Sequence, residues 1–399
     1  MISSLEATQL INSHLFQPKI ERVKFDSCEG RVLAEPIYAD RDFPPFDRVM
    51  MDGIAVRHAD LADGTTKLEV EGLIAAGDQT KALPSGKKCF EIMTGAVMAT
   101  GADTVIPYEL VEIKDGYAHL IEDLPAQGKH IHYQGMDRKQ GDLLLTENTI
   151  ISKAEIGVLA TVGKAEVKVK SLPRVLIVST GDELVDVETT PLPHQIRKSN
   201  VHVLETVCKN LGLPSKKLHV TDDPEQIRNT ISRELESTDV LVLSGGVSKG
   251  KKDFIPEMLE ELGIKKLFHR IAQRPGKPFW FGKSDTITCF AFPGNPVSTF
   301  MCTERYFEPW LKNSLGLQNT GWKAKLSEDF HFKPNLTYFL QCKLLPGPEN
   351  ELLAVPNPGQ GSGDLANLTG ADAFLELPQG KNEFKQGESY TVWPFKKIL

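Results

Sequence analysis

The chain has 399 residues, of which 40% are hydrophobic and 25% charged, as expected for a soluble globular protein with roughly two to four domains. Lysine and arginine total 46 against 53 aspartates and glutamates, and this net charge of -7 argues against broad nucleic-acid binding, which needs a basic surface. A small anionic ligand is not excluded, because a few local cations can bind one.

The cysteines and the N-terminus point to a reducing compartment. The six cysteines are scattered, without a C-x-x-C pair or a zinc-like histidine spacing, so we expect buried free thiols. The N-terminus has no secretory pattern, and no apolar run reaches membrane-spanning length. We therefore expect a cytoplasmic protein with no membrane contact.

The first half of the chain changes from a helical to a β-like pattern. The first thirty or so residues carry apolar positions at Leu5, Ile11 and Leu15, with a serine at position 3 or 4 as a candidate cap, and this spacing predicts a helix. Short β-like runs separated by glycine and proline follow over residues 66–122 and indicate a small β-rich domain. A predicted helix, ISKAEIGVLATVG, and a predicted strand, EVKVKSL, close this half.

Strands and helices alternate from residue 173 to about residue 320. The predicted strands are RVLIVST, KLHVT, VLVL and TITCFAF, and the predicted helices are SNVHVLETVCKNLG, DDPEQIRNTISREL, DFIPEMLEELG and the segment starting at Asn295. We expect Ser199 or Asn200 to cap the first of these helices and Asp to cap the second. The alternation predicts a mostly parallel sheet with helices on both faces, followed by a β-like tail.

Polar residues collect in four loops that follow predicted strands, namely STGDELV, TDD, SGGVSKGKKD and FPGNPVS. Because parallel strands end at one edge of a sheet, we expect Glu183, Asp222 and Asp253 to converge there beside helix N-termini, which attract anions. Carboxylates next to a phosphate cradle favour Mg²⁺ as a bridge to phosphate oxygens. The run HRIAQRPGKPF adds three cations suited to an oxyanion: Arg270, Arg274 and Lys277.

Each loop taken alone also has a purely structural interpretation. The glycines of SGG would allow a tight turn, Asp222 and Asp253 stand near helix starts where aspartate commonly caps, and Glu183 could be a solvated turn residue. The KGKK run is typical of an exposed face. Capping alone does not predict four such loops at one sheet edge, and that coincidence favours a binding site.

Known nucleotide and hydrolase signatures are absent from the sequence. The loop GGVSKGKKD is not a Walker A loop, and neither a G-x-G-x-x-G fingerprint nor a G-x-S-x-G elbow occurs. His130 and His132 have the spacing of a strand pair that could meet a metal, but no other histidine or cysteine lies near them in sequence. A surface strand is the favoured interpretation of this pair.

Seven motifs occur in the order in which one known family carries them. They are PPFDRVMMDGIAV, EIMTGAVMATGADTVIPYE, STGDEL, IRKSN, SGGVSKGKKDF, RPGKPF and FPGNPVS. Through these motifs the chain resembles the molybdopterin molybdenumtransferase family, of the bacterial MoeA and gephyrin E-domain type, over essentially its whole length.

The resemblance implies a multidomain α/β and β subunit in four parts. These are an elongated domain (1–45 and 136–172), an inserted β-rich domain (46–135), a three-layer α/β molybdopterin-binding domain (173–320) and a C-terminal β-barrel-like domain (321–399). It also implies a homodimer whose active site lies in a cleft between subunits. There the α/β domain of one subunit would face loops from the inserted domain of the other.

The implied reaction is the insertion of molybdenum from molybdate into adenylylated molybdopterin, with Mg²⁺-dependent release of AMP, in molybdenum cofactor biosynthesis. Mg²⁺ is the implied cofactor and molybdate the substrate metal. Contact with the molybdopterin adenylyltransferase and with acceptor molybdoenzymes is implied as well. Both substrates are anions, which agrees with the cradle and the cations found in the loops.

Site residues carry over from the family's motifs by position. The implied catalytic residues are Asp52, Glu183, Asp222 and Asp253, of which the last three would also hold the metal. The implied substrate-binding residues are Thr94, Asp137, Ser244, Gly245, Gly246, Ser248, Arg270, Arg274, Lys277, Pro278 and Ser298. Ser362 in GQGSGD is a further candidate from the tail.

The sequence departs from the family's pattern at a few positions. His132, Tyr133 and Gln134 stand where arginines are common, and Met136 replaces a glutamate. Arg270 and Arg274 stand where lysine is common, and Leu336 and Gly370 replace an arginine and a serine in the tail.

Two other functions are compatible with parts of the sequence. A phosphatase or adenylyltransferase could use the same α/β domain, but the inserted β domain and the β-like tail argue against that. A non-catalytic scaffold is the second, since gephyrin-type relatives also anchor receptors, but the retained carboxylates argue against a purely structural role.

Overall fold

The computed structural model describes residues 1–121, 125–221, 223–247, 254–317 and 321–396. The first helix, α1 (Ser4–Asn12), begins with a capping box in which the Glu6 amide donates to the Ser3 hydroxyl and the Ser3 amide donates to the Glu6 carboxylate. The predicted helical pattern is wrong beyond α1, because the chain continues as β1 (Ile20–Lys24) and β2 (Ile37–Tyr38). The partner of β1 lies at residues 166–170, too far along the chain for a local pattern to reveal it.

The inserted β-rich region is built on a six-stranded sheet with the order β7-β4-β6-β5-β9-β8. A short ladder of β3 and β10 joins the two chain segments that enter and leave this region. The strands are β3 (Arg48–Val49), β4 (Gly53–Val56), β5 (Lys67–Ile74), β6 (Lys88–Ile92), β7 (Thr104–Pro107), β8 (Val111–Lys114), β9 (Tyr117–Leu120) and β10 (Ile131–His132). Two hydrophobic clusters cover the two sides of the sheet, so that β4 is buried throughout.

The chain then returns to its N-terminal segment through β11 (Leu143–Leu145), α2 (Lys153–Thr161) and β12 (Glu166–Lys170). β11 pairs with β2 and β12 pairs with β1, both antiparallel. The helix predicted from ISKAEIGVLATVG is confirmed, and Ser152 and Glu155 form its capping box.

The α/β region contains a six-stranded sheet with the order β16-β13-β17-β21-β20-β18, whose first four strands are parallel. Its last two strands run antiparallel to their neighbours. The elements are β13 (Val175–Thr180), β14 (Leu184–Val185), β15 (Ile196–Arg197), α3 (Asn200–Asn210), β16 (Ser215–Val220), α4 (Pro224–Leu235), β17 (Val240–Ser244), α5 (Ile255–Glu261), β18 (Lys265–His269), β19 (Gln273–Arg274), β20 (Trp280–Lys283), β21 (Thr288–Phe292), α6 (Pro296–Cys302) and α7 (Glu308–Ser314).

Alternate residues of the central strands point to opposite layers, because side chains of a strand alternate between its two faces. Ile177 and Val242 pack in one cluster with α3, α6 and α7. Val178 and Leu243 pack in a second cluster with α4 and α5. The predicted mostly parallel sheet with helices on both faces is therefore confirmed.

The C-terminal region closes into a five-stranded barrel, because β24 pairs with β26 as well as with β25. The strands are β22 (Trp322–Leu326), β23 (Phe330–His331), β24 (Thr337–Pro346), β25 (Leu352–Pro356), β26 (Ala373–Leu377), β27 (Glu383–Phe384) and β28 (Ser389–Pro394). A separate hydrophobic cluster fills the barrel. The predicted fold class, a multidomain α/β protein with a C-terminal barrel, is confirmed.

All six cysteines are free and buried, as predicted. Within the described ranges, no helix combines the length and the apolar character needed to cross a membrane.

Candidate active site

A cavity of about 450 Å³ opens at the carboxyl ends of β13, β17 and β21. Three of the four polar loops predicted from the sequence contribute to its wall, since parallel strands end at the same edge. The fourth loop, TDD, begins at Thr221, and its Asp222 lies outside the described residues. The predicted site residues that line this first cavity are Glu183, Ser244, Gly245, Gly246 and Pro278.

The turn after β17 depends on two glycines. Gly245 and Gly246 have φ of 102° and 69°, a region that residues with a Cβ rarely adopt. A Cβ on Gly246 would lie 2.5 Å from Cγ1 of Ile255. The Gly245 amide donates to the carbonyl of Phe292 at 3.1 Å, whereas the Gly246 amide donates to no acceptor in the described part of the chain. Only the second amide is therefore available to a ligand.

Asn200 is a cavity residue whose role the sequence analysis missed. Its Nδ2 donates to Oγ of Ser244 at 2.8 Å and to the carbonyl of Gly294 at 2.7 Å, which ties the ends of β17 and β21 together. Of the two predicted caps of α3, Ser199 does occupy the N-cap position, although its side chain makes no capping hydrogen bond. Asn200 is the first residue of the helix, and its side chain points to Ser244 and Gly294 instead. The feature of the sequence that could have pointed to Asn200 is the IRKSN motif, of which it is the last residue.

Glu183 lies exposed in the wall of the first cavity, close to the backbone of Gly181. Gly181 has a φ of 135°, and a Cβ there would lie 2.6 Å from Oε2 of Glu183. The Ile196 amide donates to the Glu183 carbonyl at 2.9 Å and holds the backbone in place. The glycine thus makes room for the carboxylate.

Of the predicted metal site, the structure describes the Glu183 carboxylate. Asp222, Asp253 and Ser248 lie outside the described residues, so Glu183 is the member of the predicted set whose place is known. Among the described residues, Glu183 has no ion pair, and no group of three or more histidine, cysteine, aspartate or glutamate side chains could hold a metal.

A second cavity, of about 260 Å³, lies between the α/β region and the barrel. Arg274, Lys277 and Ser298 line it, and it shares Pro278, Pro293 and Asn295 with the first cavity. The parallel pairing of β19 with β24 brings the RPGKPF loop to the barrel. The barrel side contributes Leu336, Tyr338 and Ser362.

Buried polar contacts shape the RPGKPF loop. Gln273 is fully buried, accepts a hydrogen bond from the Tyr306 hydroxyl and donates to the Gly276 carbonyl at 3.1 Å. Burial raises the pKa of Tyr306, which keeps its hydroxyl protonated as a donor. A Cβ on Gly276 would lie 2.7 Å from the Cys302 sulfur, so the loop packs too closely for a larger residue there.

Ser362, a candidate from the tail, links the barrel to α6. Its hydroxyl accepts a hydrogen bond from Nδ2 of Asn295 at 2.6 Å, and its carbonyl accepts one from the Val297 amide at 3.0 Å. The first turn of α6 is therefore tied to the barrel at the edge shared by the two cavities.

Arg270 lies apart from the other predicted cations. It is half-buried with a φ of 81°, and its amide donates to the Phe279 carbonyl at 2.8 Å. Its buried Nε has no hydrogen-bond partner within the described ranges, and the residue lines neither described cavity.

Asp52 and Thr94 meet beside the paired ends of β4 and β6 in the inserted β sheet, and neither lines a described cavity of the same chain. The Thr94 amide and hydroxyl both donate to Oδ1 of Asp52, at 2.7 and 2.6 Å. A Cβ on Gly53, the next residue, would lie 2.0 Å from the Ile106 carbonyl oxygen, so MMDG needs its glycine for strand pairing.

Three consecutive parts of the chain match known family descriptions. Residues 2–163 match the MoeA N-terminal region (domain I and II), residues 176–313 match the probable molybdopterin binding domain, and residues 323–395 match the MoeA C-terminal region (domain IV). A molybdopterin molybdenumtransferase of Synechocystis sp. is 38% identical over 398 residues, covering 98% of this chain and 100% of that protein. The chain belongs to the molybdopterin molybdenumtransferase family.

Other members of the molybdopterin molybdenumtransferase family extend the likeness. A Staphylococcus aureus (strain Mu50) molybdopterin molybdenumtransferase is 31% identical over 398 residues, covering 97% of this chain and 94% of that protein. A crystal structure of the molybdopterin biosynthesis moeA protein from Pyrococcus horikoshii OT3 aligns with a TM-score of 0.82 at 26% identity, over 99% of this chain and 100% of that one. The predicted resemblance is confirmed.

This molybdenumtransferase family member carries a histidine where the resemblance leads one to expect an arginine. Nη2 of Arg48 lies 3.0 Å from Nδ1 of His132, and Nε2 of His132 lies 2.9 Å from Oδ1 of Asp137. Because arginine can only donate, Nδ1 is the acceptor and Nε2 carries the hydrogen that is donated to Asp137. The surface-strand interpretation of the histidine pair holds only for His132, which belongs to the short strand β10. It is wrong for His130, which lies in the preceding turn with a φ of 61°. Asp137 lines neither described cavity.

The two tail positions that differ from the molybdenumtransferase pattern have different surroundings. Leu336 lines the second cavity, where it supplies an apolar wall. Gly370 lines neither described cavity and approaches the Asn357 side chain, 3.3 Å from the position of an added Cβ.

Proposed function

We propose that this chain inserts molybdenum from molybdate into adenylylated molybdopterin and releases AMP in a Mg²⁺-dependent step. As a member of its family, the chain is a transferase of molybdenum cofactor biosynthesis. One observation carries the finer proposal: two cavities adjoin and share Pro278, Pro293 and Asn295. A reaction between a nucleotide-bearing pterin and molybdate needs two neighbouring anion sites.

We assign the substrate phosphates to the first cavity. The Gly246 amide, which has no acceptor among the described residues, and the start of α3 at Asn200 are groups that bind phosphate, since free amides and the helix dipole favour negative charge. The side chain of Asn200 holds Ser244 and Gly294 in place, so the cavity edge needs little rearrangement when a ligand binds.

We assign molybdate to the second cavity. Arg274 and Lys277 are both exposed and line this cavity together with the buried Ser298. Guanidinium and ammonium groups beside a serine supply the donors that a tetrahedral oxyanion accepts. Arg270, which lies outside both cavities, remains a prediction as a substrate-binding residue.

The described lining of the first cavity offers one carboxylate suited to Mg²⁺, that of Glu183. Glu183 lines the cavity and is not engaged in an ion pair with any described residue, and hard carboxylate oxygens are the ligands that this ion prefers. We propose Glu183, Asp222 and Asp253 as its ligands. When bound there, Mg²⁺ would offset negative charge on the phosphate oxygens as AMP departs.

We propose a homodimer in which the inserted β domain of one subunit completes the cavities of the other. Asp52, Thr94 and Asp137 line neither described cavity of their own chain, so a second copy would have to bring them to the substrate. Several large apolar side chains of the N-terminal segment and of the segment returning to it are exposed, which supports a covered surface: Ile20, Tyr38, Leu143 and Ile150.

We also propose the four-domain division set out from the resemblance, at 1–45 with 136–172, 46–135, 173–320 and 321–399. Hydrophobic clusters confined to the elongated, inserted, α/β and barrel regions support it. A cytoplasmic location, and contacts with the adenylyltransferase and with acceptor molybdoenzymes, remain predictions.

The test is turnover by the purified protein with adenylylated molybdopterin, molybdate and Mg²⁺. We expect release of AMP and formation of active molybdenum cofactor, both of which EDTA should prevent. A parallel reaction with molybdopterin and ATP should yield no pyrophosphate, and pyrophosphate there would indicate an adenylyltransferase instead. Failure of AMP release under conditions in which the Synechocystis relative turns over would refute the transferase proposal.

A further inference from the structure

Lys198 is a cation in the wall of the first cavity to which the proposed reaction assigns no role. Its side chain is only 11% exposed, and its Nζ lies 2.5 Å from Oδ1 of Asp186, whose side chain is 71% exposed. Lysine is rarely buried to this degree unless its charge is paired. The pair therefore joins the cavity wall to a carboxylate in solvent.

The ion pair is not needed to hold the loop together. The ladder of β14 and β15 already joins the two segments, and the Lys198 amide donates to the Val185 carbonyl at 2.9 Å. A pair with one partner in solvent contributes little to stability, because water screens it. These backbone bonds would persist if the ammonium turned away from Asp186.

The charge of Lys198 shifts the pKa of two neighbouring side chains, Asp186 and His219. The pKa of Asp186 is lowered, first by the hydrogen bond from Lys198 and then by its charge. The pKa of His219 is lowered, first by burial and then by the same charge. The neighbouring Arg197 also lines the cavity, but it is exposed, and its Nε already donates to the Thr189 carbonyl at 3.1 Å. Lys198 is therefore the more buried of these two cations in the cavity wall.

We propose that Lys198 is a further substrate-binding residue, whose ammonium leaves Asp186 and contacts a phosphate oxygen of the adenylylated substrate in the first cavity. An ammonium on a flexible four-carbon stem can exchange one oxygen partner for another. Asp186 then competes with the phosphate for Lys198, and this competition lowers substrate affinity. The inference rests on the proposed function, which supplies the identity of the anion.

Because Asp186 and the phosphate compete for Lys198, substitutions of Lys198 and of Asp186 should change the Kd for AMP in opposite directions. The probe is AMP, and its Kd is measured by titration calorimetry. Lys198→Gln should weaken AMP binding by about ten- to a hundredfold, the value of a charge-assisted contact. Asp186→Asn should tighten it by roughly two- to tenfold, because more of the lysine is free to bind. Lys198→Arg should stay within about threefold of the wild type, since the charge is kept.

Lys209→Gln is the matched control. Lys209 lies on α3 and pairs with Glu205 at 3.3 Å, away from the cavity lining, so its loss should leave the Kd for AMP unchanged. Thermal unfolding of each variant checks that the fold persists. If Lys198→Gln does not fold, Asp186→Asn decides alone, because only competition predicts tighter binding.

A higher Kd for AMP in Lys198→Gln together with a lower one in Asp186→Asn supports the proposal. Shifts in the same direction, two unchanged values, or no AMP binding by the wild type overturn it. Turnover is measured separately: opposite shifts in a protein that releases no AMP from adenylylated molybdopterin would keep this inference and refute the proposed reaction.

Discussion

Thr94 donates two hydrogen bonds to one carboxylate oxygen of Asp52, from its amide at 2.7 Å and from its hydroxyl at 2.6 Å. Asp52 immediately precedes β4 and Thr94 follows β6, so the antiparallel pairing of these strands brings the two residues together. Both bonds favour the charged carboxylate, and they lower the pKa of Asp52, the hydroxyl more than the amide. The sheet thus holds an ionised carboxylate at an exposed edge.

Thr94→Val removes the hydroxyl donor and keeps the shape of the side chain. We expect the pKa of Asp52 to rise toward 3.8, because one of the two bonds that stabilise its charged form is lost. Since the folded pKa is the lowered one, the stability that the pair contributes is present above the unfolded pKa and is lost as the pH falls through the folded pKa. The variant should therefore be less stable than the wild type above about pH 3.8, and the difference should vanish as the pH falls through the folded pKa. Carboxyl NMR titration and unfolding measured over pH 2–6 would report both.

The matched control for this variant is Thr65→Val, which removes the same kind of hydroxyl bond, here to Asp63, in the same inserted β-rich region. This control should raise the pKa of Asp63 and leave the pKa of Asp52 unchanged. An unshifted Asp52 in the Thr94 variant would mean that the amide bond alone sets its pKa.

Glu183→Gln should abolish most turnover while the fold persists. The side chain is exposed and has no ion pair within the described ranges, so its charge contributes little to stability. If Glu183 holds Mg²⁺ as proposed, loss of its carboxylate should lower kcat by about two to three orders of magnitude. AMP release and a thermal melt are the measurements, and Glu188→Gln on the same exposed loop is the control. Unchanged kcat would remove Glu183 from the metal-binding role.

Gly246→Ala should destabilise the protein more than its backbone angle alone predicts. Gly163 at the end of α2 has nearly the same φ, 68° against 69°, but no described atom within 4 Å of an added Cβ. Gly163→Ala should cost about 1 kcal/mol for the left-handed conformation. Gly246→Ala should cost about 3 kcal/mol, because the Cβ also collides with Ile255. Urea denaturation compares the two, and equal losses would mean that the turn relaxes freely.

Glu376→Gln tests the junction between the α/β region and the barrel. Arg305 and Glu376 are 10% and 16% exposed, with Nε and Oε2 2.9 Å apart, and the Trp393 indole donates to the same oxygen at 2.8 Å. Removing one charge leaves the other buried and unpaired, which should cost about 3 kcal/mol in the free energy of unfolding.

The exposed pair of Lys266 and Glu260 is the control for this junction. Glu260→Gln should change the free energy of unfolding by less than about 0.5 kcal/mol, because both side chains face water. A loss in Glu376→Gln no larger than in this control would show that the buried pair does not hold the barrel.

Local patterns predicted most elements of the α/β region. The apolar face of α3, the aspartate cap and Pro224 at the start of α4, and the buried strand β17 are all found in the structure. Each depends on residues within one or two turns of each other, so spacing and capping chemistry suffice to identify it. The prediction failed at β1, whose strand conformation depends on pairing with distant residues.

The site was predictable where it follows from strand order and not where it depends on side-chain direction. The loops with Glu183 and with Gly245 and Gly246 line one cavity because parallel strands end at one edge, which alternation already implies. The local pattern predicts Ser199 or Asn200 as the cap of α3, and nothing local shows that the Asn200 amide reaches Ser244.

By itself, the sequence determined the family, the alternating α/β region and the loops that would carry chemistry, because motif order and residue spacing are properties of the chain. Only the tertiary structure decided that Arg274 and Lys277 line a second cavity against the barrel, that Arg270 does not, and that Lys198 lies in the wall of the first. These relationships depend on packing between segments far apart in sequence, such as the pairing of β19 with β24, which no local pattern encodes.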